Sequence, residues 1–260
     1  MLRQCDVTTR TVELDGRTGR ADAEAPLFRI TAVEVHETRI VIRINDGAAV
    51  DWPLRRLAAV ARAHPHARQR WELTPDGTGV NWPALSAPQP DGLLSVWEIL
   101  EEQLYDDALG KGFDVGWNLD RLAVRDAELV ALWRLTMDLV FGSYLQFRSS
   151  WGERTASIAR QALVRVGAPE MARLLTSMDE LADKHALPRE VIAHAYLPAL
   201  IAGSDTDRLQ ELEEAFWELA PGLPRLVVEN YAASMRRGPG RTKAGRRGAF
   251  TDPAPRTAAS

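Results

Sequence analysis

Five groups of residues in this chain have side chains able to do chemistry. His64 and His66 flank Pro65, close enough for two imidazoles to share a metal ion, but no cysteine or acidic residue stands at a supporting interval. A zinc site needs three or four ligands, so the pair reads as a turn. Carboxylates crowd two stretches, Glu98, Glu101, Glu102, Asp106 and Asp107 in one and Glu211, Glu213, Glu214 and Glu218 in the other. As solvated faces they only keep two helices in water. As fixed rows of negative charge they would imitate phosphates and hold a basic protein. Arg236, Arg237, Arg241, Lys243, Arg246 and Arg247 form a basic cluster near the end of the chain, of the kind that binds nucleic acid by releasing counterions. Phe250 is the only aromatic beside them, so base stacking has little to work with. The fourth group is a helix-turn-helix look-alike from Leu181 to Ile192. Its turn carries Ala186 where glycine is the hallmark, and its reading helix offers Arg189, Glu190 and His194 before Pro198. A groove-reading helix needs Arg, Asn or Gln in its first turns and a basic setting, so ordinary helix packing is the better account. The fifth is Val140-Phe141-Gly142-Ser143-Tyr144-Leu145-Gln146-Phe147, a cluster of aromatics and small residues around one glutamine. It reads first as an inter-helix corner, with Tyr144 and Phe147 plugging a core and Gln146 capping backbone.

The rest of the chain sets limits on these groups. Nucleophile elbow, phosphate loop, dinucleotide fingerprint and His-Glu zinc signature are all missing from the sequence, so catalysis ranks behind binding and no cofactor is expected. The lone Cys5 cannot form an internal disulfide or a cysteine-rich metal site. The first residues lack the apolar centre of a signal peptide, and no apolar run approaches the length of a membrane span, which points to the cytoplasm. The net charge of −4 is unevenly spread. Residues 1–97 balance 12 basic against 12 acidic side chains, residues 98–234 carry 13 against 23, and residues 235–260 carry seven against one.

The elements that must position these groups change character along the chain. Residues 1–26 are a polar leader with a short strand expected at Thr11–Leu14. Phe28, Ile30, Val33 and Val35, then Ile40, Ile42 and Ile44, alternate as half-buried strands do. Asp46-Gly47 turns the chain into a return strand at Ala48–Trp52. Pro53 opens a helix bearing Leu54, Leu57, Ala58 and Ala61, which His64-Pro65-His66 ends. Trp71–Leu73 and Val80–Trp82 are short strands about the turn Pro75-Asp76-Gly77. From Leu93 the pattern is helical, and Gly110–Gly116, with three glycines in seven residues, reads as a flexible joint. Beyond it only helices are expected: a stripe from Leu129 to Val140, helices at Ile158–Val166 and Met171–Ala182, one opened by Pro188, one capped by Ser204 or Asp205, and one opened by Pro224. The expected class is α+β: a small front domain over 27–97, a connecting helix and joint over 98–116, an all-α domain over 117–235, and a basic tail over 236–260 that cannot bury enough to order itself.

Two family resemblances rest on these residues. Gly142, Tyr144, Gln146, Phe147 and Gly152, with Ala162, Leu163, Gly167 and Ala168, resemble the motif of the helical DNA-mimic-protein family of bacteria. Phe141, Ser143, Arg148 and Ser150 replace that family's Asn, Gly, Phe and Asn. The resemblance covers about residues 117–235 and implies a protein partner, a basic DNA-binding one, engaged through acidic side chains. Pro53-Leu54, Trp71, Gly77, Gly79, Val80-Asn81-Trp82-Pro83, Leu85 and Leu93-Leu94 resemble a small bacterial domain of unknown function found in toxin–antitoxin-like contexts; its usual acidic run is replaced here by Ser86-Ala87-Pro88.

The sequence thus points to a non-enzymatic interaction protein. Its candidate partner-binding residues are Tyr144, Gln146, Phe147, Glu101, Glu102, Asp106, Asp107, Glu211, Glu214 and Glu218. The alternative is a nucleic-acid-binding regulator using Arg189 and the basic tail.

Overall fold

A computed structural model describes residues 9–11, 26–85, 92–185 and 203–232. Strands β1 (Thr9–Thr11), β2 (Ile30–Val35), β3 (Arg39–Ile44) and β4 (Ala49–Pro53) form an antiparallel sheet in sequence order. The alternation read from the sequence holds in β3, where Ile40, Ile42 and Ile44 are buried and Arg39 and Arg43 are exposed. Strand β1 lies just ahead of the expected Thr11–Leu14, and the residues after Thr11 are outside the described set.

Pro53 closes β4 instead of opening a helix. Its φ of −65° suits either role, and its ψ of 122° keeps the backbone extended while it pairs with Arg39. A 3₁₀ turn at Leu54–Arg56 leads to α1 (Ala58–Arg62), and α2 (Pro65–Arg68) follows. His64 caps α2, its ring nitrogen accepting from the His66 backbone N–H at 3.3 Å, so the pair begins a helix where the sequence suggested an end.

A second sheet holds β5 (Glu72–Leu73), β6 (Gly79–Asn81) and β7 (Leu94–Ser95) in order. The two-residue β7 is too short to leave a period in the sequence, and Leu93-Leu94 reads there as the start of a helix. Trp71 and Trp82 are buried beside these strands, and the Trp82 indole N–H donates to the Arg68 carbonyl at 2.8 Å.

Helix α3 (Val96–Asp114) is capped by the Ser95 hydroxyl, which accepts from Trp97 N–H at 3.2 Å. It runs unbroken through Gly110 and Gly112, so the expected flexible joint is mostly helix. The reason lies at Gly112. A Cβ there would sit 3.0 Å from the Trp117 ring, and the Trp117 N–H donates to the Gly112 carbonyl at 2.8 Å. This glycine serves close approach rather than freedom. Trp97 meets Phe28 edge to face at 6.1 Å, and Arg56 pairs with Glu102, so α3 joins the sheets to the helices through one continuous core.

The other helices are α4 (Val124–Phe141), α5 (Tyr144–Arg165), α6 (Pro169–His185), α7 (Gly203–Leu219) and α8 (Leu223–Tyr231). The described residues after 117 contain no strand, and the fold is α+β followed by all-α. α5 begins 14 residues before the expected Ile158. Gly142 and Gly152 interrupt the sequence stripe, yet Ser143 starts the helix by accepting from Gln146 N–H at 3.4 Å, and Gly152 (φ 77°) only kinks it. α7 begins at Gly203, ahead of the expected caps. Asp205 is held by Lys184 at 2.7 Å and His185 at 2.6 Å, which keep its carboxyl below the usual range. The helix expected after Pro188 lies outside the described residues, and no described helix is long and apolar enough to cross a membrane.

Candidate interaction site

The corner between α4 and α5 is built around one buried carboxylate. Tyr144 and Phe147 are three residues apart on α5, so both face inward, and both are fully buried with ring centroids 5.7 Å apart. The Tyr144 hydroxyl donates to Asp179 of α6, which is 4% exposed. Arg148 Nε lies 2.8 Å from the same carboxylate, and Arg160 pairs with its other oxygen. Burial, then the charge of Asp179, holds the Tyr144 phenol far above its ordinary pKa, so it stays protonated as a donor. Arg148 precedes the Gly152 kink and Arg160 follows it. One carboxylate therefore clamps both halves of the bent helix to α6. Glu153 and Asp183 complete the network at the surface by pairing with Arg148, the latter at 2.9 Å.

These contacts assign the motif residues to architecture. Tyr144 and Phe147 present no surface to a partner. Gln146 is half-buried, and its carboxamide occupies the space where a Gly142 Cβ would be. The first backbone N–H of α5, from Tyr144, donates at 2.7 Å to Glu213 of α7, so one carboxylate of the second acidic run faces inward as a cap. Among the described residues, Phe141 is 77% exposed beside this corner.

The acidic candidates divide in two. Glu101 accepts from the Tyr105 hydroxyl at 2.9 Å, and burial raises its pKa to about 7. Glu102 is paired with Arg56, whose guanidinium lies 4.9 Å over the Trp52 ring. Both serve the junction of sheet and helix. Asp106, Asp107, Glu211, Glu214 and Glu218 are exposed. Burial and the neighbouring Glu102 raise the pKa of Asp106. On α7, Glu211 pairs with Arg208 and Glu214 accepts from Gln210, both at 2.8 Å.

No three His, Cys, Asp or Glu side chains among the described residues are grouped to hold a metal. His66 lies 3.1 Å from Arg70. Leu181–His185 end α6, while Arg189 and the rest of the helix-turn-helix look-alike lie outside the described residues, as do Arg236, Arg237, Arg241, Lys243, Arg246 and Arg247. The sequence reading passed over three residues that the fold brings together, Trp117, Arg134 and Trp151. They lie on separate elements with no common spacing; the one local sign is an arginine inside the apolar stripe of α4.

Residues 120–235 match the family model described as DMP19-like protein, and residues 30–94 match that of a protein of unknown function (DUF2442). The two parts are thus similar to the two families that their motifs resemble. Neither a curated protein nor a solved structure matches the chain.

Proposed function

We propose that this protein acts by binding and not by catalysis, holding a basic protein partner through exposed carboxylates of its helical part. The observation that carries this reading is the division of the acids. Glu101, Glu102 and Glu213 are occupied in holding the fold, whereas Asp106 and Asp107 of α3 and Glu211, Glu214 and Glu218 of α7 face solvent. Positions 211, 214 and 218 follow one helix face. At 1.5 Å per residue their charges stand about 5 Å apart along the axis, against about 3.4 Å for one strand of a DNA duplex. The row is sparser than DNA and partly neutralised by Arg208, so it suits a salt-sensitive partner rather than one gripped at high ionic strength. The DMP19-like match supports the finer reading of DNA mimicry, in which the partner is a DNA-binding protein.

The test uses the full chain as bait in its native lysate, beside a variant carrying D106N, D107N, E211Q, E214Q and E218Q. The expected result is a basic protein retained by the native chain, displaced by double-stranded DNA or by salt, and lost from the variant. Equal retention by both baits, or retention indifferent to DNA, would overturn the reading. A direct gel shift with duplex DNA separates the alternative: binding that disappears on removing residues 236–260 would assign the function to the basic tail instead.

A further inference from the structure

Arg134 projects from α4 into the protein and is 3% exposed. Its guanidinium lies between two indoles, 3.8 Å from the Trp151 ring centre and 5.2 Å from that of Trp117. The stack covers the faces of the cation and leaves its edge to be satisfied. Both Nε and Nη2 are buried and have no hydrogen-bond partner. These two nitrogens form one side of the guanidinium fork, the pair of parallel N–H donors that matches the two oxygens of a carboxylate. Buried donors are nearly always paired, and a charged one left unpaired is costly, so this edge calls for an acceptor. Burial holds the Arg134 pKa down to about 10 against the pull of Asp138, as expected of a cation short of partners.

The surroundings are those of a binding cleft. Arg134 lines a cavity of about 310 Å³ with Trp117, Asn118, Trp151, Arg154 and Thr155, at the small end of the ligand-pocket range. Trp117 has φ 63°, the one non-glycine residue in the left-handed region among the described residues, an unusual and strained state for so bulky a side chain. Strain of this kind collects at ligand clamps. Trp151 forms the opposite wall at 37% exposure, tethered by its indole N–H to Asp138 Oδ2 at 2.6 Å. It immediately precedes the kink at Gly152, where α5 can bend without breaking a regular turn. Arg154 is engaged by Asp120 at 2.8 Å on the rim and adds positive charge.

We propose that this cleft binds a small carboxylate, whose two oxygens take the Nε and Nη2 donors of Arg134 while Trp151 swings aside to admit it. The site is independent of the acidic surface and stands whether or not that surface binds a protein. The Asp138 tether keeps Trp151 closed over the fork in the free protein, so the measured affinity includes the work of opening it.

The experiment titrates the full-length protein with acetate, succinate and inorganic phosphate, following the Trp151 indole N–H by nitrogen-15 NMR, with the resonance assigned by W151F. Saturable binding of acetate or succinate in the millimolar range or tighter is expected, with a shift at Trp151. Arg134→Lys keeps the charge and removes the fork, and it should weaken binding at least tenfold. Asp138→Asn spares the fork, frees the Trp151 tether and removes a competing negative charge, and it should tighten binding. This variant decides the matter if the lysine protein does not fold. Absence of saturable binding by either carboxylate, undiminished binding by a folded Arg134→Lys protein, or unchanged or weaker binding by Asp138→Asn would overturn the proposal. Phosphate binding as tightly as the carboxylates would overturn the assignment to a planar ligand.

Discussion

Two glycines two residues apart on α3 should respond oppositely to the same substitution. Gly110 is exposed, and a Cβ there meets nothing within 4 Å. Replacing a glycine by alanine inside a helix removes backbone freedom from the unfolded chain and favours the fold by about 0.5–1 kcal/mol. Gly112 gains the same local term, but its Cβ would meet Trp117 ring carbons at 3.0 and 3.1 Å and a Val130 methyl at 3.6 Å. The ring has little room to yield. It is stacked on Arg134, set edge to face with Phe113 at 6.5 Å, and carried on a backbone that donates to Gly112 itself. Overpacking of this kind costs about 1–3 kcal/mol, which outweighs the helix term. Gly110→Ala should therefore raise stability by up to about 1 kcal/mol and Gly112→Ala should lower it by about 1 kcal/mol, with midpoints moving about 2–4 °C per kcal/mol for a chain of this size. Urea unfolding followed by circular dichroism and by tryptophan fluorescence measures both. A flexible joint at 110–116 would make the two variants behave alike. Loss of stability in Gly110→Ala, or a gain in Gly112→Ala equal to that at 110, would refute the reading of this segment as helix closed against Trp117.

Other consequences follow from the same contacts. Asp179→Ala strips the carboxylate from Tyr144, Arg148 and Arg160 and leaves charged groups buried without a counter-ion, which should cost about 3–5 kcal/mol. A loss below about 1 kcal/mol in chemical denaturation would show that the clamp is not structural. Tyr144→Phe removes one hydrogen bond to a charged acceptor and should cost about 1.5–3 kcal/mol. A double-mutant cycle with Asp179→Ala would show most of that loss to be shared. Glu101 binds its proton more tightly folded, near 7, than unfolded, near 4.5. Between those values the folded state carries more protons than the unfolded one, so this residue makes stability fall as pH rises from about 4.5 to 7 and level off above. Glu101→Gln should flatten that slope and leave the variant the more stable at pH 8; parallel pH–stability curves would remove Glu101 as its cause.

Much of the architecture follows from local pattern. The alternation of Ile40, Ile42 and Ile44 and the stripe from Leu129 to Val140 each report one buried face, and Gly167 marks a helix end, with φ 87° where the left-handed position was expected. Elements too short to show a period were not legible, β7 above all. Gly110–Gly116 misled because glycine signals freedom and close approach with the same letter, and only the position of the Trp117 ring distinguishes them.

The functional groups divide in the same way. The sequence alone determined the strand-then-helix order, the family resemblances and the segregation of charge, since these depend on composition and on neighbours within a few residues. Only the tertiary structure decided which acids face solvent, because Glu213 and Glu211 are two residues apart and one caps α5 while the other faces water. It also decided that Tyr144 and Phe147 hold a corner, and that Arg134 meets indoles 17 residues away on either side. The physical reason is range. Backbone preference and hydrophobic period act along the chain, whereas the pairing of a buried charge depends on which helices pack together, and that is settled by the whole core at once.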